Sequence, residues 1–448
     1  MHDSVAPRLR ARRSVMSPQG VAALSATLAL VAVAAWGTWV GRQSSDLLFY
    51  AGAFAQAGLA LYATRLALAS RYGLALVVAA ALALRLAFLL TTPNLSGDIY
   101  RYIWDGRIVG AGFNPYLHVP ADPLLATLRD PAQYRLIDKR DYAVTIYPPV
   151  AEALFALVTA VSGSVVAMKA AMVLLEGAAV LAMARLLGRL GRPRALLAAY
   201  LLHPAPIWEI AGNGHVDAAT MALVFGAFAW AGGAARPSVA ALPLTLGALV
   251  KPTAALGLPA LWRPWDLRLP LLVGAVAALC YLPFLSAGTG VIGFLPHYAH
   301  EQGLDSGAGF FALALAKAAG LDRPWMTGAY GAVSAFALVA LALWTRRRGD
   351  TGLVTGLGGT ATLVMAFLML LTPVFPWYFL IAAPFTPLLG LWSPFTLTTG
   401  GFLLYGFNAD APGFLARWSV LIAFVLAAAA RDAWFWRGRD AGHDARHR

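Results

Sequence analysis

The chain has 448 residues, of which 60% are hydrophobic and only 12% are charged. A soluble domain carries about 25% charged residues, so the composition excludes a water-soluble protein and points to an all-α, polytopic membrane protein. The net charge of +13 needs no nucleic acid as a partner, because arginines collect on the cytoplasmic side of membrane proteins. Arg8, Arg10, Arg12 and Arg13 place the N-terminus in the cytoplasm. The first apolar run, Val21 to Val40, is long enough to span and has no small-residue cleavage site after it, so it reads as a span and not a signal peptide. A second helix is expected over Leu47 to Leu68, with Arg65 and Arg71 at its cytoplasmic end. A third, Gly73 to Leu90, then delivers the chain to the outer side.

The long outer loop, residues 93–149, is the centre of the sequence. It opens Asn-Leu-Ser-Gly-Asp98 and closes Tyr147-Pro148-Pro149, and it mixes aromatic with charged residues. Asp98, Arg101, Tyr102 and Asp105 recur at helical spacing and share one face, while Ile99, Ile103, Gly106 and Gly110 share another. The spacing predicts a helix lying along the membrane surface with its polar face toward water or a substrate. Pro115 disfavours a helical residue before it and ends the segment. A loop of this length favours function over simple linkage, although many polar loops only solvate.

Val150 to Val161 is apolar but short for a crossing. A re-entrant or surface helix there leaves Arg185, Arg189, Arg192 and Arg194 in the cytoplasm. The chain then goes out over Ala195 to Trp208 and back over Val216 to Gly232, with Arg236 inside. Ser238 to Val250 and Thr253 to Leu261 read as a short hairpin with Lys251-Pro252 at its outer apex, and Arg263 and Arg268 are inside. Leu269 to Leu285 leads to a second polar outer loop, Ser286 to Gly309, and Ala329 to Trp344 returns to Arg346, Arg347 and Arg348. Four more runs turn at Pro373 to Trp377, Trp392 to Pro394 and Asn408 to Pro412, and the tail from Arg431 is cytoplasmic. The total is about 14 crossings at roughly 20 residues each, short hairpin helices included. The sequence divides into residues 1–72 (tail and two helices), 73–310 (a core with the outer loop) and 311–448 (further helices and a basic tail). No internal repeat supports an inverted-repeat transporter.

The order Asp98-x-Tyr100, Gly112-x-Asn114-Pro115-Tyr116, then Tyr147-Pro148-Pro149 resembles the C-type glycosyltransferases. Within that class it looks most like the mannosyltransferases that use polyprenyl- or dolichyl-phosphate mannose. Their loop carries Asp-x-Asp-Tyr, and the first Asp of that pair falls on Ser96 here. The resemblance implies a helical membrane scaffold with its site at the outer face of the plasma (inner) membrane. It also implies an inverting displacement from a polyprenyl-phosphate sugar, with mannose as the hexose and a glycan- or lipid-borne hydroxyl as acceptor. Asp98 takes the position of the catalytic base. A transporter or flippase of lipid-linked sugars is the rival reading, and a structural subunit with a degenerate site is a third.

Glycosyl transfer to a hydroxyl needs a base at the acceptor and stabilisation of the departing phosphate. Asp98 suits the first role, or alternatively caps the helix that it opens. Lys251 suits the second as a point charge, or alternatively snorkels to the surface. Asn213, His215 and Asp217 are gathered by a two-glycine turn for sugar or phosphate contacts, unless Asn213 only caps a helix. Arg101, Tyr102, Asp105, Asn114, Tyr116 and Tyr147 complete the expected binding set from the first loop, and His297 does so from the second. Asp105 can equally pair with Arg101. Arg85, Lys169 and Glu176 lie in apolar runs and suit internal ion pairs, Arg85 with Glu176 among them. Trp377 and Tyr378 suit the interfacial aromatic belt. The sequence has no phosphate-binding glycine loop, no second His at ligand spacing near His215, and one cysteine, Cys280. No cofactor is therefore expected, and the use of a divalent metal stays open.

Overall fold

The computed structural model describes residues 17–231, 237–262, 266–347, 352–405 and 413–444. Arg8, Arg10, Arg12, Arg13, Arg236, Arg263, Arg348 and the turn at Asn408–Pro412 lie outside the described residues. The described chain is all-helical, with no strand among its elements. Seven described segments are long and apolar enough to cross a membrane, and five shorter apolar helices accompany them.

Two long helices, α1 (Pro18–Ser44) and α2 (Asp46–Leu68), form the first hairpin. Small residues let their backbones meet: a Cβ on Gly41 would lie 2.3 Å from the Phe49 nitrogen. The next helix, α3 (Gly73–Leu89), has 17 residues and is about 26 Å long at 1.5 Å per residue. Two buried cations tie it to the Val165–Arg189 helix. Arg85 forks onto Glu176, with Nε to Oε2 at 2.8 Å and Nη2 to Oε1 at 2.5 Å, and its Nη1 reaches the Ala81 and Leu201 carbonyls. Among the described residues Lys169 pairs with no carboxylate. Its Nζ donates to the Phe88 and Thr91 carbonyls, both at 2.7 Å, and so satisfies the open C-terminal end of α3.

The outer loop begins as the spacing predicts, with α4 over Asp98–Gly110. Its surroundings differ from the expectation. On its polar face Asp98 alone stays accessible, while Arg101, Tyr102 and Asp105 are buried. The cause is the Pro149–Val161 helix, which packs directly against α4. A Cβ on Gly106 would sit 2.3 Å from the Phe155 carbonyl oxygen, and the Tyr102 ring stacks on Phe155 at 4.5 Å. At 13 residues this helix is about 20 Å long, short of a hydrocarbon core of about 30 Å. It acts as a lid over α4.

Two other segments depart from continuous helices. Ala195–Trp208 is broken at Pro204 and Pro206 and ends in a π-helical turn, Ile207–Gly212. The expected hairpin around Lys251 has only one helical arm, Pro237–Ala248. The other arm is a six-residue 3-10 turn, Pro252–Gly257, because a proline at its start and a glycine at its end leave little to propagate. Helices at Leu295–Glu301 and Phe311–Ala318 occupy the region of the second polar loop and its exit.

Candidate active site

Several breaks in regular helix converge on one cavity of about 290 Å³. Its walls come from the start of α4, the end of the outer loop, the Leu295–Glu301 helix, the Lys251 turn and the Phe375–Tyr378 segment. Asp98, Arg101, Asp138, Lys139 and Lys251 supply charge, and Tyr102, Tyr147, Phe294, Tyr298, Phe375, Trp377 and Tyr378 supply aromatic surface.

Asp98 is the first residue of α4, and the cap position belongs to Gly97. The Ser96 hydroxyl accepts the Asp98 N–H at 3.2 Å, so the serine organises the helix entry. The Asp98 carboxylate makes no capping bond. Its side chain is 34% exposed and borders the cavity. The helix N-terminus adds a partial positive charge beside it.

Lys251 stands at another wall. Its Nζ lies 2.8 Å from each carboxylate oxygen of Asp217, and 4.3 Å from the centre of the Tyr378 ring. Asp217 is buried at the start of the Asp217–Ala231 helix, while Lys251 keeps 16% of its side chain exposed. The carboxylate holds the ammonium in place and still leaves it open to the cavity. The Tyr378 hydroxyl meets that of Tyr298 at 2.6 Å.

Behind Asp98 lies a third group. Gly214, with φ of +77°, turns the chain after the π-helical turn, and a side chain there would strike Ile99. The turn places His215, almost fully buried, with Nδ1 3.9 Å from the Asp98 carboxylate. Its Nε2 is 3.3 Å from Glu209 Oε2. The ring stacks on Trp377 at 4.7 Å, and Trp377 stacks on Phe375 at 4.6 Å. Glu209 is also buried, and the Tyr405 hydroxyl donates to its other oxygen.

The remaining predicted residues divide by position. Arg101 borders the cavity, but its Nε is held by Asp105 at 2.8 Å and its Nη1 donates to the Ala143 carbonyl. Burial pushes the Asp105 carboxyl above the usual carboxylate range, against the pull of Arg101. Asp105 does not border the cavity. Tyr102 and Tyr147 do, and burial with Asp98 nearby raises both phenols well above their ordinary value, so they stay neutral donors. Asn114 and Tyr116 stand outside it and join segments. Asn114 reaches the Phe284 carbonyl and Ser286, and the Tyr116 hydroxyl donates to the Tyr147 carbonyl at 2.7 Å. Asn213 accepts from the Asn94 and Leu95 nitrogens, both at 3.0 Å, and fastens the loop entry. His297 is exposed and stacks on Phe294, outside the cavity.

Sequence reasoning missed Glu209, Lys139 and Phe294, and it sent Trp377 and Tyr378 to the aromatic belt; Tyr298, a second-loop residue that it offered beside His297 for acceptor contact, borders the cavity. Glu209 had a signal: a carboxylate in an apolar run beside two prolines. The others had none, since aromatic residues are common at membrane boundaries and Lys139 is one of six basic residues in the loop. Among the described residues no three His, Cys, Asp or Glu side chains come together as a metal-binding group.

Residues 14–266 match the family model described as alpha-(1->6)-mannopyranosyltransferase, N-terminal domain. The match takes in the whole outer loop, Glu209, His215 and Lys251. No curated protein and no solved structure matches the chain.

Proposed function

The chain belongs to the alpha-(1->6)-mannopyranosyltransferase family, a family of C-type membrane mannosyltransferases, and from that membership we propose a reaction for its cavity. The protein transfers mannose from a polyprenyl-phosphate donor to a hydroxyl of a glycan or lipid acceptor at the extracytoplasmic face. Asp98 takes the proton from the acceptor hydroxyl as its oxygen attacks C1 of the mannose. The bond from C1 to the phosphate oxygen breaks, and the electron pair leaves with the lipid phosphate. Lys251 receives that developing charge as a point charge. One displacement inverts C1, so an alpha-linked product requires a beta-linked donor.

The observation that supports this reading is one cavity bordered by an accessible, uncapped Asp98 and by Lys251. The two groups have the charges that the two ends of the displacement need. Lys139 adds a further cation at the rim, held by Glu301 and lying over the Phe294 ring. The aromatic walls suit the apolar faces of a sugar and the first isoprene units. Arg101 is committed to Asp105 and the Ala143 carbonyl, and His215 faces Asp98, so Lys251 is left to meet the phosphate.

The test is transfer by purified protein in sealed vesicles. Labelled mannosyl polyprenyl phosphate is placed in the membrane, and an impermeant mannoside acceptor is supplied on one side. Labelled product is expected from the lipid donor only, and only with acceptor on the extracytoplasmic side. Transfer from a nucleotide-linked mannose instead would overturn the donor assignment.

A further inference from the structure

The proposed reaction leaves one buried set of side chains unused. Glu209 and His215 are each 1% exposed. Among the described residues neither ring nitrogen of His215 makes a hydrogen bond of good geometry, and Glu209 Oε2 makes none either. The two carboxylates nearest the ring are Glu209, 3.3 Å from Nε2, and Asp98, 3.9 Å from Nδ1. A buried imidazole held between two carboxylates is costly to leave without use, because burial penalises every unsatisfied polar atom. Trp377 fixes the plane of the ring by stacking, and the Tyr405 hydroxyl fixes Glu209 from behind.

We propose that Glu209 and His215 form a proton relay behind Asp98, and that both are positioning residues for the transfer; this inference rests on Asp98 being the base. A carboxylate facing Nε2 selects the tautomer with hydrogen on Nε2 and the lone pair on Nδ1. Nδ1 is the nitrogen on the Asp98 side, 3.9 Å from Oδ2. When the acceptor hydroxyl gives its proton to Asp98, the proton passes on from Oδ2 to Nδ1. The imidazolium that results lies between Glu209 and the restored Asp98 carboxylate. The Nδ1–Asp98 separation is longer than a hydrogen bond without substrate, and such contacts tighten on binding. Regeneration returns the proton through Asp98 to water or to the released phosphate once product leaves.

Glu209→Gln tests the relay. Because the Tyr405 hydroxyl donates to the outer oxygen of residue 209, a glutamine keeps its carbonyl there and turns its NH2 to Nε2; that donor forces the ring hydrogen onto Nδ1, so the ring can no longer accept from Asp98. Single-turnover transfer should fall by about 10²-fold, the lower end for a lost acid–base step. Donor affinity and melting temperature should stay as in the parent. Added to Asp98→Asn, the same change should cause no further loss, because the relay acts only through Asp98. Near-normal transfer by a stable Glu209→Gln would overturn the relay, and so would an equal additional loss on top of Asp98→Asn. If Glu209→Gln loses stability, His215→Gln replaces it, and normal transfer there would overturn the proposal equally. The underlying reading fails separately: if Asp98→Asn alone transfers normally, the base assignment falls whatever Glu209→Gln does.

Discussion

Asp98→Asn separates chemistry from helix architecture, and the structure supplies both magnitudes. The cap of α4 is Gly97, and the turn before it is held by Ser96, so asparagine removes no capping bond. What stability it loses is a negative charge in the first turn, about 0.3–1 kcal/mol when exposed. The side chain is only one-third accessible, which puts the loss toward the high end of that range, still well below the effect on transfer. Removing a general base lowers transfer by at least about 10²-fold, or roughly 2.7 kcal/mol at 1.36 kcal/mol per decade. The expected signature is thus a large fall in transfer with an almost unchanged melting temperature and donor affinity. Asp105→Asn should give the reverse signature. It lies on the same helix but is fully buried against Arg101, and leaving that guanidinium unpaired costs about 3–5 kcal/mol of stability. The assay is single-turnover transfer from a polyprenyl-phosphate mannose, with melting followed on the same preparations. Transfer by Asp98→Asn within a fewfold of the parent would refute the role of Asp98 and the assignment of the cavity.

Lys251→Met should weaken binding of the donor, because the methionine keeps the stem and removes the ammonium beside Asp217; a lost buried charge contact costs about 2–5 kcal/mol, and unchanged donor affinity would remove Lys251 from the phosphate site. Arg85→Met should lower stability by about 3–5 kcal/mol by stranding Glu176, and Arg85→Met with Glu176→Met should recover most of it; melting curves of the three variants decide. Gly106→Ala should destabilise by about 1–3 kcal/mol, the range for overpacking, since its Cβ would lie 2.3 Å from the Phe155 carbonyl; an unchanged melting temperature would show that the two helices can separate freely.

The sequence determined the membrane class, because apolar runs of spanning length cannot be accommodated otherwise. It placed the start of α4 at Asp98, since spacing and the Ser-Gly entry are local properties. It marked Lys251 and the Asn213–Asp217 turn, where polar residues interrupt apolar runs. It also suggested the Arg85–Glu176 pair, because two opposite charges in apolar helices have few other solutions. The tertiary structure decided which of these residues meet. Helical periodicity gave Arg101 and Asp105 the same face as Asp98. The Pro149–Val161 helix then covered that face, burying the inner pair and leaving the first residue open. Glu209 and Trp377 lie 168 residues apart in the chain, yet both flank His215. No local rule specifies such a contact. It follows from the break before Pro204 and from the turn between Leu371 and Pro376, where one helix ends on a left-handed Thr372 and the next begins at a proline. Backbone propensity is read over a few residues, whereas a site of this kind is set by where distant interruptions coincide in space.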